Sequence, residues 1–173
     1  MATSRPDLKI EPLALHHDRD GFSCGVDSLD RYLRTQASQD VQRKANGVFI
    51  LVESEKPETA LGYYTLCATG LPQGDVPAAA RKHVPRYPLV SATLVGRLAV
   101  SAARQGERLG ALLLADAVRR AYVSASTVGS SMLVVDAINE RAAAFYEGNG
   151  FVRLPDSMRL VLPMHIIEKM LKP

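Results

Sequence analysis

Polar and apolar residues alternate along residues 7–12, Asp-Leu-Lys-Ile-Glu-Pro, and this period of two predicts a short strand ended by Pro12. The period changes after Phe22-Ser23-Cys24-Gly25. Val26, Leu29, Tyr32 and Leu33 then fall at i, i+3, i+6 and i+7, one face of a helix. Gly25 punctuates the turn before it, and Asp27 or Ser28 is placed to cap it. Residues 35–45 continue polar and helical, with Arg34, Arg43 and Lys44 outside.

Gly47-Val48-Phe49-Ile50-Leu51-Val52-Glu53 is β-rich and predicts a buried strand. A turn at residues 55–58 leads to its partner, Leu61 to Ala68. From Gly70 to Ser91 the pattern is lost in an irregular connection holding Pro72, Pro77, Pro85 and Pro88. Ala78-Ala79-Ala80-Arg81 is suited to a helical turn. Pro85-Arg86-Tyr87-Pro88 is extended, because residues before proline avoid the α region.

An apolar strand, Leu94 to Val100, next meets a turn rich in glycine and arginine at residues 104–111. A helical run from Leu112 to Ala121 follows directly. The first amides of a helix lack intrahelical partners, and the macrodipole places partial positive charge there, so this stretch can hold a phosphate. Spacing alone suits an ordinary strand–turn–helix equally well.

Ser131 to Ala137 predicts another buried strand, and Asn139 to Glu147 a short helix with Ala142, Ala143, Phe145 and Tyr146 inward. Gly148 and Gly150 bracket its end. Two closing strands, 151–154 and 159–164, turn at Pro155-Asp156-Ser157, and residues 165–171 add a final helical turn or two. No repeat or linker interrupts the order. The expectation is one α+β domain, 1–173, with a mixed sheet.

Composition narrows this picture only a little. The 173 residues suffice to bury a core, and 47% hydrophobic with 23% charged residues is ordinary for a globular protein. Lys and Arg number 21 against 18 Asp and Glu, a balance that permits a nucleic-acid partner without arguing for one. Cys24 and Cys67 lie far apart, so neither a disulfide framework nor a metal site is expected. There is no apolar run of membrane-spanning length, and Met-Ala-Thr-Ser-Arg-Pro-Asp at the start lacks a signal-peptide core. A cytoplasmic protein with no membrane association is therefore expected.

The order of elements is similar to that of the GNAT N-acetyltransferase superfamily. Its pyrophosphate loop reads Gln/Arg-x-x-Gly-x-Gly/Ala, and Gln105-Gly106-Glu107-Arg108-Leu109-Gly110 occupies those places, with Arg108 replacing the first motif glycine. More specifically, the chain resembles the GNAT toxins of type II toxin–antitoxin systems. The resemblance is carried by Phe22-x-Cys24-Gly25 with Leu29-Asp30-x-Tyr32-Leu33, Gly62-Tyr63-Tyr64-Thr65-Leu66 and Pro85-Arg86-Tyr87-Pro88. It continues in Gly96-Arg97-Leu98-Ala99-Val100, Asp116-Ala117, Val135-Asp136-Ala137, and Phe145-Tyr146 ahead of Gly150-Phe151. The resemblance implies a GNAT-like, mostly antiparallel mixed sheet flanked by helices. It also implies acetyl-CoA as donor, the α-amine of aminoacyl-tRNA as acceptor, a ribbon-helix-helix antitoxin as partner, and a homodimer. A GNAT enzyme acting on a small-molecule amine or a protein N-terminus would share the donor half.

Acetyl transfer to an amine needs a held donor, a neutral nucleophile, a stabilised oxyanion and a proton for the leaving thiolate. The resemblance gives donor holding to Arg104, Gln105, Gly106, Glu107, Arg108, Leu109, Gly110 and Ala111, with Glu107 expected to point outward. Leu98, Ala99 and Val100 line the pantetheine arm, Leu98 and Val100 through their backbone. Phe145 joins the donor site, and Asn139 either approaches the pantetheine or caps the helix it precedes. The resemblance assigns the proton to Tyr146, where position alone suits a core tyrosine; a phenol near pKa 10 is matched to a thiol and stays protonated at neutral pH. No side chain stands out as general base, and an aminoacyl α-amine is acidic enough to be partly neutral without one. Arg81, Lys82, Arg86 and Arg97 are the candidate contacts to tRNA phosphates. No metal is expected.

Overall fold

The computed structural model describes residues 5–172; Met1–Ser4, within the segment read above for a signal peptide, lie outside them. Its seven strands, β1 (Leu8–Pro12), β2 (Gly47–Glu53), β3 (Gly62–Pro72), β4 (Leu89–Val100), β5 (Met132–Asp136), β6 (Val152–Arg153) and β7 (Arg159–Pro163), follow the order β1-β2-β3-β4-β5-β7-β6. The β4–β5 pair is parallel, and the β1–β2, β5–β7 and β6–β7 pairs are antiparallel. The expected mixed sheet is present. The chain forms two compact units: one takes the residues up to Thr65 with Arg97–Asp116, the other Leu66–Gly96 with the residues from Ala117 onward.

In the first unit, β1 (Leu8–Pro12) pairs with β2 (Gly47–Glu53), in register from Leu8↔Glu53 to Pro12↔Phe49. Between them lie α1 (Asp27–Arg31), a π-type turn over Tyr32–Gln36, and α2 (Ala37–Gln42). The expected Asp27 or Ser28 cap is absent: α1 starts from Val26 without a side-chain cap. Asp30, a turn later, reaches back instead, and its carboxylate accepts the Cys24 N–H at 2.8 Å. The predicted apolar face holds, with Tyr32, Leu33 and Ala37 packed among Phe22, Val48, Ile50, Val52, Tyr63 and Ala99.

Strand β3 (Gly62–Pro72) and strand β4 (Leu89–Val100) are both longer than the pattern predicted. Gly70, read from sequence as the start of an irregular stretch, lies inside β3. A Cβ there would sit 2.6 Å from Leu89 Cδ2, so this glycine admits a close approach where it was expected to break a strand. The connection shrinks to residues 73–88, with short 3-10 turns at Gln73–Asp75 and Ala78–His83. The Gln73 N–H donates to Pro88 O at 3.0 Å and closes it.

Helix α3 (Leu109–Ala125) begins three residues before the periodic run predicted from Leu112, because Gly110 and Ala111 are helical although they carry no apolar signal. In the second unit, β5 (Met132–Asp136) pairs with β4 from Ala92↔Met132 to Val95↔Val135 and with β7 (Arg159–Pro163) on its other side. Strand β6 (Val152–Arg153) closes the edge. Helices α4 (Glu140–Gly148) and α5 (Met164–Leu171) complete the unit. Its core gathers Leu71, Val76, Val90, Ala92, Met132, Val134, Leu154 and Val161.

Candidate active site

Past Val95 the parallel ladder to β5 ends while β4 continues to Val100, so Leu98, Ala99 and Val100 belong to a stretch beyond that register. Ala99 is buried in the first unit's core, and Leu98 and Val100 are half-buried. After Val100 the chain is tied down. Ser101 N–H donates to Leu61 O and Ala102 N–H to Ser23 O, each at 2.8 Å. The Gln105 carboxamide donates to Cys24 O at 2.9 Å and to Val100 O at 3.2 Å.

Arg104, expected to hold donor phosphate, is engaged by carboxylates: Nη1 donates to Glu53 at 2.7 Å and Nε to Glu107 at 2.7 Å. Glu107 points outward as expected and is exposed, and the Arg104 hydrogen bond holds its carboxyl below the usual range. Two residues of the loop take left-handed backbone, Gly106 at φ 86° and Arg108 at φ 61°. Arg108 thus adopts the conformation that a motif glycine would supply freely, although its Cβ makes this cost about 1–2 kcal/mol. Its carbonyl accepts from Leu112 N–H at 3.3 Å, so the left-handed residue opens α3. The amides of Leu109, Gly110 and Ala111 in that first turn have no intrahelical acceptor. The Arg108 side chain is exposed, and no described residue forms an ion pair with it.

Tyr146 and its neighbours lie in the second unit, on α4. Asn139 is the helix N-cap, its Oδ1 accepting Ala142 N–H at 2.8 Å. That uses the oxygen and leaves the side-chain amide exposed. Tyr146 is buried, with Phe145 edge-on at 5.2 Å and Phe151 at 5.6 Å between ring centroids. The turn that returns Phe151 to this ring needs Gly150 at φ 95°, and Phe151 N–H donates to Tyr146 O at 3.1 Å. Burial pushes the Tyr146 phenol up to about 12, and no described residue hydrogen-bonds its hydroxyl.

Arg81, Lys82 and Arg86 are exposed and line one cavity with Gln73, Ala78, Ala79 and Val84, a wall without a carboxylate. His83 stacks on His165 at 3.8 Å. Arg97 belongs to the first unit and lies over the Tyr32 ring, 3.5 Å from its centroid. No free general base emerges at Glu53 or Asp136, which are paired with Arg104 at 2.7 Å and with Arg159 at 2.8 Å. Sequence reasoning missed the Arg97–Tyr32 and Arg104–Glu53 contacts, because no periodicity links residues so distant along the chain.

No protein-family model matches the chain. A "tRNA-acetylating toxin" of Mycobacterium tuberculosis is 32% identical over 148 residues, 85% of this chain and 86% of the relative. A "probable toxin TacT" of Sinorhizobium fredii is 24% identical over 94% of each chain. Among solved structures, a tyrosine-to-phenylalanine mutant of KacT superposes with a TM-score of 0.88 at 31% identity, over 95% of this chain and 99% of that one. AtaT complexed with acetyl-methionyl-tRNAfMet gives 0.88 at 31% identity, over 96% and 100%. AtaTR bound with acetyl-CoA gives 0.84 at 30% identity, over 96% and 99%. The chain belongs to the tRNA-acetylating toxins of the GNAT acetyltransferase superfamily.

Proposed function

We propose that the protein transfers acetyl from acetyl-CoA to the α-amine of an aminoacyl-tRNA, and so blocks translation as a toxin. The observation that carries this reading is the loop at 104–111. In a chain of this family it retains the left-handed turn at Arg108 and the unpaired amides that open α3, despite the loss of the motif glycine. Its fit to a pyrophosphate is chemical: oriented N–H groups, a helix N-terminus and a free guanidinium.

Gly106 to Ala111 are assigned the donor phosphates, with Arg104 and Gln105 fixing the loop that presents them. Leu98, Ala99 and Val100 are assigned the pantetheine arm, Leu98 and Val100 through backbone groups beyond the β5 register. Phe145 holds the Tyr146 ring, and Asn139 offers its amide while its oxygen caps α4. The neutral α-amine attacks the thioester carbonyl, the C–S bond breaks, and Tyr146 Oη gives its proton to the departing sulfur. The amine's surplus proton goes to solvent, which restores the phenol. Arg81, Lys82, Arg86 and Arg97 are assigned RNA phosphates.

The whole chain, 1–173, is read as one acetyltransferase domain, cytoplasmic, homodimeric and held silent by a ribbon-helix-helix antitoxin. AtaT has been solved bound to the C-terminus of its antitoxin AtaR, which supports the general form of that partnership. Among the described residues no helix is long and apolar enough to cross a membrane. The test is incubation with acetyl-CoA and charged tRNA, then mass analysis of the aminoacyl adenosine. A mass gain of one acetyl group on the aminoacyl moiety is expected; donor binding without acetylation of any aminoacyl species refutes the reading.

A further inference from the structure

We propose that Arg97, seated on the ring of Tyr32, anchors the phosphate of the acceptor's terminal nucleotide, and that Tyr32 and Asp40 are its positioning residues. This rests on the aminoacyl-tRNA reading above.

The seat is built in layers. The Arg97 Cζ lies 3.5 Å from the Tyr32 ring centroid. Tyr32 stacks with Tyr63, 6.4 Å between centroids and 16° between planes, and the Tyr63 hydroxyl donates to Leu29 O at 2.7 Å. The Tyr32 hydroxyl donates to Asp40 at 2.8 Å, and the same carboxylate accepts from Gln36 and from Asn46, each at 3.0 Å. The aromatic face is therefore fixed from its rim as well as by its neighbour. A guanidinium held over such a face by cation–π attraction spends no N–H on a protein acceptor and keeps its donors for an oxyanion.

That edge is unoccupied by protein. Arg97 is half-buried, yet no described residue accepts a hydrogen bond from it or closes an ion pair with it. Asp40 feels the Arg97 charge, but its oxygens are already filled by Gln36, Tyr32 and Asn46. A partly desolvated cation with idle donors is costly, and the cost is removed when an anionic partner binds. Lys82 and Arg86 differ in this respect, because they are exposed to solvent, and the exposed Arg81 donates to Val76 O at 3.3 Å.

The position along β4 selects the anion. With pyrophosphate at residues 106–111, the donor arm runs back past Val100 to Leu98, and its thioester lies at the Leu98 end. Arg97 is the next residue, roughly 10 Å of extended strand away from Val100. The acceptor's aminoacyl ester must arrive at that end. The anion covalently nearest to this ester is the phosphate on the 5′ side of the terminal nucleotide. The donor's own phosphates belong at the opposite end of the strand.

The test is steady-state acetylation of charged tRNA by the full-length protein at several salt concentrations. Arg97→Gln is expected to raise the KM for tRNA about tenfold and to reduce the slope of log KM against log salt by about one, with the KM for acetyl-CoA unchanged. Arg97→Lys is expected to restore the slope but not the full affinity, since it keeps charge and loses the planar fork. Tyr32→Phe, which keeps the ring and deletes the bond to Asp40, is expected to raise the tRNA KM with the salt slope intact. An unchanged slope in Arg97→Gln, or an effect confined to acetyl-CoA, overturns the proposal. Should Arg97→Gln not fold, Tyr32→Phe and Arg97→Lys decide it, and an unaltered tRNA KM in both overturns it. A wild-type protein that acetylates no charged tRNA overturns the acceptor reading instead.

Discussion

Arg104 donates to Glu53 at 2.7 Å, and this bond ties the loop that opens α3 to the last residue of β2. A third member, Glu107, takes the remaining face of the guanidinium. The two carboxylates raise the Arg104 pKa above its ordinary value and neutralise it locally. Arg104 therefore shapes the loop more than it adds charge to it. Glu53→Gln and Arg104→Ala should each raise the KM for acetyl-CoA about fivefold, and the double variant should be no worse than the single ones. Additive losses in that cycle would show that Arg104 meets the donor directly.

The left-handed Arg108 separates backbone from side chain. Arg108→Ala keeps the strain and loses the guanidinium; Arg108→Gly loses both. Thermal unfolding should find Arg108→Gly more stable than Arg108→Ala by about 1 kcal/mol, the left-handed penalty less the extra freedom of glycine when unfolded. Both should bind acetyl-CoA more weakly than wild type. Equal stabilities would mean that the strain at φ 61° is not felt.

Gly62 faces the donor strand closely. A Cβ at this position would lie 2.7 Å from the Ala99 carbonyl oxygen and 2.9 Å from Leu113 Cδ1. The first is backbone and cannot swing aside. Gly62→Ala should cost about 1–3 kcal/mol and displace β4 at the residues assigned to pantetheine, which denaturant titration and the acetyl-CoA KM would register together.

Tyr146 is raised to about 12 by burial, so its ionised form is disfavoured and the proton stays on Oη as pH rises through the neutral range. The pH profile of kcat should show no alkaline fall from this group below about pH 11. Tyr146→Phe should lower kcat by roughly 10²–10⁴-fold with donor affinity kept. Full turnover in that variant removes the phenol from the reaction.

Asn139 has two duties that substitution can divide. Asn139→Ala should lose about 1 kcal/mol of stability with the cap, and Asn139→Asp should retain it, because aspartate caps as well as asparagine. An acetyl-CoA KM that rises in both variants assigns the side-chain amide to the donor; one that follows stability alone confines Asn139 to capping.

The order of strands and helices was legible in the pattern of residues, because burial on one face imposes its period locally. So were the amphipathic face at Leu29, Tyr32 and Leu33, the Asn139 cap and the loop ahead of α3. Each depends on neighbours within a turn or two of chain. The length of β3 was not legible, since Gly70 signals a break until Leu89 is placed against it. Nor was the outcome at Arg108: composition says only that a glycine is missing, and the folded loop imposes the left-handed backbone regardless. The pairing of Arg104 with Glu53, the occupation of Asp136 by Arg159 and the seat of Arg97 on Tyr32 were decided by tertiary structure alone. Charge and aromaticity can be read from a sequence, but which charge is neutralised and which is left for a ligand depends on distances that only the fold creates.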